Sequence, residues 1–221
     1  MNPTECDVVP GGAAPRDGAG PAAVDFWFDF ISPFGYFASL RIDELAARHG
    51  RRVEWHPLLV GVTVLKVMGM KPLPQTPLKG AYLERQIARY RRRHGVELAR
   101  RADAAPMNPL PAARLFAWLR VHRPAGAKAF ARAVFEGYWA RGRDLDQPKA
   151  LREAVQAAGL PAALADEVLA APEAAALLRD EVDAAVAHGA FGSPFFIVDG
   201  EPFFGVDNLE LLDEWLGRGG W

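Results

Sequence analysis

The sequence predicts an α/β protein in which a strand–helix–strand unit and a C-terminal hairpin–helix unit enclose a long, almost wholly helical stretch. Three observations carry this. Val24, Phe26, Phe28 and Phe30 alternate with Asp25, Trp27 and Asp29, the period of a strand. Directly after Ser32 the apolar period becomes helical. Strand signals then return only in "GSPFFIVDGEPFFG", beyond about a hundred residues of helical periodicity.

The elements follow in order. The strand-like run extends to Ile31, and Pro33 opens a helix. Its stripe of Phe34, Phe37 (or Ala38), Ile42 and Leu45 stops at Gly50, a C-terminal cap. Val53 and Trp55 begin a second strand, limited by Pro57. Strand, helix and strand in this order imply a parallel, right-handed crossover. From Val62 to Pro77 the chain reads as a loop holding the apolar piece "VTVLKVMGM". Helical stripes follow at Leu83, Ile87 and Tyr90, at Leu115 and Leu119, and at Phe130, Val134 and Tyr138. Asp146 before Gln147-Pro148 reads as a cap, and Pro161 and Pro172 mark further helix starts. Asp199-Gly200 between two apolar runs signals a type I′ hairpin, and a last helix follows Asp207. With the helical middle removed, this is the order of a thioredoxin-like fold carrying an all-helical insertion domain. The expected boundaries are 24–62 and 186–221 for the thioredoxin-like part and 63–185 for the insertion, after a disordered tail at 1–22 rich in Gly, Ala and Pro.

Bulk properties narrow the function. Half of the 221 residues are hydrophobic, enough for a sizeable core. A formal net charge of -1 gives no basic excess for nucleic acid or an anionic membrane surface. No run approaches the about 18 apolar residues of a membrane span, and the N-terminus has no apolar core of a secretory signal. The only cysteine, Cys6, leaves no dithiol chemistry within one chain. The expectation is a cytoplasmic protein. The five histidines show no metal-ligand spacing, so no metal is expected. "RYRRRHG" (89–95) reads as a solvated basic face, or one that attracts an anionic substrate.

Three places offer chemistry. Ser32 before Pro33 is a standard helix start. The same joint in a thioredoxin-like fold is where a reactive sulfur sits, stabilised by unsatisfied N–H groups and the positive helix end. The chain has no cysteine there, so a bound thiol with Ser32 donating to its sulfur is the alternative to a simple cap. "GSP" (192–194) precedes the third strand; a cis Ser193–Pro194 bond there would expose the Ser193 backbone to an extended peptide, against the alternative of an ordinary loop proline. Asp207 either caps the last helix or binds an α-amino group.

The segments "FDFISPFGYFAS", "GSPFFIV" and "FFGVDNLELLDEWL" resemble the 2-hydroxychromene-2-carboxylate isomerases and their relatives, the kappa-class glutathione transferases, both in the DsbA-like group. The resemblance runs from about Val24 to Trp215. It implies bound glutathione, with Ser32 at its sulfur, Ser193 before Pro194 pairing with the cysteinyl part, and Val206 and Asp207 holding the γ-glutamyl end. Lys66 resembles a substrate-site lysine and Asn108 an asparagine near the substrate pocket. Met70 stands where the family often has asparagine.

The function so implied is a glutathione-dependent isomerase, acting on 2-hydroxychromene-2-carboxylate or a similar aromatic keto or hemiketal acid by reversible thiolate addition. A homodimer with a small aromatic substrate, and no nucleic acid or membrane partner, is implied with it. The alternatives are a kappa-like glutathione transferase or peroxidase, and a non-catalytic thioredoxin-like binding or chaperone module.

Overall fold

The computed structural model describes residues 23–221; the N-terminal segment 1–22, with Cys6 and the expected disordered tail, lies outside the described residues. Four strands form one mixed sheet in the order β2-β1-β3-β4. β1 (Val24–Phe28) runs parallel to β2 (Val53–Pro57), as a crossover connection requires. β3 (Phe195–Val198) lies antiparallel to β1, and β4 (Glu201–Phe204) antiparallel to β3. Asp199 and Gly200 both have positive φ, 54° and 87°, as the type I′ hairpin demands.

Between β1 and β2 lie α1 (Pro33–Ser39) and α2 (Ile42–Arg48). A short α turn, α3 (Val60–Val62), continues into π-helical Thr63–Val67, followed by a 3₁₀ turn at Leu73–Gln75. The helical stretch then comprises α4 (Lys79–His94), α5 (Leu110–His122), α6 (Pro124–Phe135) with a π-helical extension at Glu136–Ala140, α7 (Pro148–Ala157), α8 (Leu164–Ala170) and α9 (Pro172–Ala187). A 3₁₀ turn at Val206–Asn208 leads into α10 (Leu209–Arg218). No helix among the described residues is long and apolar enough to cross a membrane.

The core explains how sheet and helices are joined. Phe26, Phe28 and Phe30 point into one apolar cluster with Trp55, Phe116, Phe135 and Phe196. Phe28 meets Phe116 and Phe135 of α5 and α6 at ring distances of 5.1 and 5.3 Å. Each fully buried phenylalanine contributes about 1.5–3 kcal/mol. The alternate residue Trp27 faces the other side of the sheet, against Leu58, Ala185, Ala190 and Phe195. The expected stripes Leu83/Ile87/Tyr90 and Phe130/Val134/Tyr138 are buried throughout.

Four local expectations are corrected. β1 ends at Phe28 rather than Ile31, because the Asp29 carboxylate takes the Ile31 N–H at 3.1 Å and turns the chain. The helix after Ser32 is two helices. The Ser39 hydroxyl donates to the Tyr36 carbonyl at 2.6 Å, competing with the helical ladder where it breaks. Asp146 does not cap α7; its carboxylate accepts from the Asn108 N–H at 3.1 Å and from the Gln147 side chain. Pro161 is not the first helical residue, since α8 begins at Leu164 after a turn at 162–163.

Candidate functional site

The site follows from strand register. Trp27 pairs with Phe195 in the antiparallel β1–β3 ladder. Extending both chains two residues beyond that pair places Asp29 opposite Ser193. There the Asp29 N–H donates to the Ser193 hydroxyl at 2.9 Å, a side-chain bond in place of the next ladder bond. The β1–α1 corner and the loop before β3 are thereby brought together at one end of the sheet.

Ser32 is in extended conformation, with φ −91° and ψ 118°, and caps α1. Its Oγ accepts from the Gly35 N–H at 3.0 Å, and its hydroxyl donates to the Ser193 carbonyl at 2.8 Å. Capping and donation are therefore compatible: one lone pair takes an N–H while the single proton goes elsewhere. The Ser32 N–H closes a turn onto the Asp29 carbonyl at 3.0 Å. Gly35 lets the two segments approach; a Cβ there would lie 2.7 Å from Ser193 Oγ.

The Ser193–Pro194 bond is cis. The Ser193 N–H has no acceptor among the described residues, while its carbonyl is engaged by Ser32. The Pro194 carbonyl accepts from the Gly205 N–H at 2.9 Å, which draws the Val206–Asn208 turn to the same loop. Val206 is buried. Asp207 is exposed and makes no cap; its carboxylate accepts from the Gln86 side chain of α4 at 2.6 Å. Hydrogen bonds thus join the Ser32 corner to the 193–194 loop and that loop to Gly205, the residue directly before Val206 and Asp207.

Lys66 and Asn108 take no part in these hydrogen bonds. Lys66 is exposed on the π-helical turn that follows Val60, without an ion pair among the described residues. Asn108 is exposed, and its side-chain oxygen accepts from the Leu110 N–H at 3.1 Å at the start of α5. That is a local turn role. Met70, also exposed, lies just beyond the Lys66 turn.

Two residues that build the corner were not legible from the sequence. Asp29 reads from the alternation only as a strand residue, yet it lies just beyond β1 and is 2% exposed. Its oxygens accept from Ile31 and from Val60, the latter at 2.8 Å. Burial pushes its carboxyl up to about 6, against the opposing pull of the two N–H donors. Trp139 donates its indole N–H to the Phe30 carbonyl at 3.0 Å, fixing the corner to the helical layer. An acidic residue inside an aromatic run, three positions before Ser-Pro, was the available signal for Asp29.

Among the described residues no group of three or more His, Cys, Asp or Glu could hold a metal ion. A cavity of about 270 Å³ lies apart from the corner, lined by Asp25, Trp27, His56, Asp180, Glu181 and His188, none of them one of the site residues above.

Comparison with known proteins places the chain among thioredoxin-like proteins. Residues 23–217 match the DSBA-like thioredoxin domain. A 2-hydroxychromene-2-carboxylate isomerase from Sphingobium xenophagum is 30% identical over 198 residues, covering 87% of this chain and 97% of that protein. Human glutathione S-transferase kappa 1 is 26% identical over 213 residues, covering 90% and 92%. A solved 2-hydroxychromene-2-carboxylate isomerase structure superposes with a TM-score of 0.76 at 24% identity, covering 89% of this chain and 95% of that one.

Proposed function

Because the chain belongs to the 2-hydroxychromene-2-carboxylate isomerase family of DsbA-like thioredoxin domains, we propose that it is a glutathione-dependent isomerase of 2-hydroxychromene-2-carboxylate or a similar aromatic keto or hemiketal acid. The observation that carries this reading is the hydroxyl at the β1–α1 corner. Where a redox member of the fold would present a sulfur, this chain presents Ser32, held against the loop of Ser193. No described residue of that corner supplies a thiol, and in this reading the sulfur is brought by a ligand.

The residues fit glutathione. The Ser193 N–H, without an acceptor among the described residues, is a donor for the cofactor's own backbone, as a strand edge would be. The exposed Asp207 carboxylate suits the ammonium of the γ-glutamyl end, with Val206 beside it. When bound, glutathione would supply a thiolate nucleophile for reversible addition to a conjugated carbon of the substrate. Ser32 turns its single proton from the Ser193 carbonyl toward the sulfur, while the Gly35 N–H keeps Oγ in place. A free thiol titrates at about 8.5, and a donor beside it favours the charged form. Lys66, exposed on the turn tied to the corner through Val60, is the proposed partner of the substrate carboxylate, and Asn108 a second polar contact. We take residues 24–62 and 186–221 as the cofactor-holding part, residues 63–185 as the insertion, and the active form as a homodimer.

A kappa-like transferase or peroxidase is the second reading, supported by the 26% identical human relative. Calorimetric titration with glutathione tests the shared cofactor. Assays with 2-hydroxychromene-2-carboxylate and with 1-chloro-2,4-dinitrobenzene then separate isomerase from transferase. Absence of glutathione binding would leave a non-catalytic module.

A further inference from the structure

We propose that Asp29 is a positioning residue, fastening the Ser32 corner at once to the Ser193 loop and to the segment that carries Lys66. This deepens the glutathione reading and, for its activity readout, rests on it. Asp29 Oδ1 accepts from the Ile31 N–H at 3.1 Å and its Oδ2 from the Val60 N–H at 2.8 Å. Its own N–H donates to Ser193 Oγ at 2.9 Å, and its carbonyl accepts from the Ser32 N–H at 3.0 Å. Four connections reach three segments: the corner, the turn after β2, and the loop before β3.

The choice of a carboxylate is costly, and the cost identifies the role. A buried charge without a paired cation is expensive, and no Lys, Arg or His bonds Asp29 among the described residues. An apolar residue would bury at no such cost. What only the carboxylate offers is two acceptor oxygens for two N–H donors on different segments. Asparagine, or the protonated acid, turns one of those oxygens into a donor facing an N–H.

Burial pushes Asp29 up to about 6, so that exchange falls within an accessible pH range. The ionisable groups facing it are few. Tyr138, on the π-helical extension of α6, lies within electrostatic reach, with the Arg100 guanidinium stacked 4.2 Å over its ring. The Ser193 hydroxyl and the Trp139 indole complete the corner without titrating there.

The test compares wild type, Asp29→Asn and Trp139→Phe. Trp139→Phe removes a buried hydrogen bond of the same corner and serves as the purely structural control. Amide exchange of Ile31 and Val60, expressed as protection factors, reads the tie without any ligand. In wild type, local opening that frees these two amides while Asp29 stays buried is expected to become easier as pH drops through about 6, so that protection of at least one of them falls about tenfold or more even though the protonated chain is globally more stable. In Asp29→Asn it is already low at pH 7.5 and insensitive to pH, whereas Trp139→Phe keeps the wild-type profile. With glutathione and substrate, Asp29→Asn is expected to lower kcat more than it raises KM and to lose the acid limb near pH 6. Unchanged protection in Asp29→Asn overturns the proposal, as does lowered protection with unchanged kcat. If glutathione binds none of the three proteins, the cofactor reading fails, and the exchange data alone decide the positioning role.

Discussion

The Ser32 hydroxyl donates to the Ser193 carbonyl at 2.8 Å, joining residues 161 positions apart in the chain. This bond makes the helix cap and the loop before β3 parts of one site. It also sets a condition on any ligand sulfur that Ser32 is to serve: the proton must leave the carbonyl. A hydrogen bond exchanged for one to an anion is a gain, since bonds to charged acceptors are roughly twice as strong.

Gly35→Ala tests how tightly the two segments are packed. The added methyl would lie 2.7 Å from Ser193 Oγ and 3.2 Å from the Asp29 carbonyl oxygen. Overpacking of this kind costs about 1–3 kcal/mol. Urea denaturation is expected to show that loss, and the double variant with Ser193→Ala is expected to lose less than the sum of the two single changes. Strict additivity would mean that the segments part freely.

Trp139→Phe removes the donor to the Phe30 carbonyl and leaves a buried acceptor unpaired. The expected cost is about 1–3 kcal/mol in chemical denaturation. A change near zero would show that the Phe30 carbonyl finds another donor.

Stability should depend on pH through Asp29 in a definite direction. Its carboxyl is raised from 3.8 to about 6 by burial, so the folded chain holds the proton more tightly than the unfolded chain. The contribution is fully present below about pH 4 and is lost as pH rises through about 6, amounting to about 3 kcal/mol at full ionisation. Asp213 works the other way. The His49 hydrogen bond, and then Arg48, hold it below the ordinary carboxylate range, and its contribution is lost as pH falls through that lowered value. The difference in unfolding free energy between wild type and Asp29→Asn isolates the first effect. It should move against wild type as pH rises from 4.5 to 7.5; a constant difference contradicts it.

Much of the fold was legible because its signals are local. The alternation around Phe26, the stripe Leu83/Ile87/Tyr90 and the Asp199-Gly200 turn each lie within a few residues of sequence, and all three are found in the structure. Asp29 escaped because its partners Val60 and Ser193 lie 31 and 164 positions away. The same holds for Asp146 and Asp207. Asp146 reads as a cap from its neighbours and Asp207 as a cap or an amine ligand, while their carboxylates accept from Asn108 and Gln86 on remote segments. Local pattern places an element, but it does not say which distant backbone group a carboxylate will meet.

The central claim is that Ser32 holds a ligand thiolate as well as capping α1. Losing a cap costs about 0.5–2 kcal/mol, whereas losing a donor to an anion in a sheltered site costs about 10²–10³ in rate. The most direct measurement is the ultraviolet thiolate absorbance of bound glutathione against pH in wild type and Ser32→Ala, with thermal melts alongside. The expected result is a thiol titrating below its ordinary value of about 8.5 in wild type and shifting upward in Ser32→Ala, with only a modest loss of melting temperature. Identical titration curves in the two proteins would contradict the claim and leave Ser32 a cap alone.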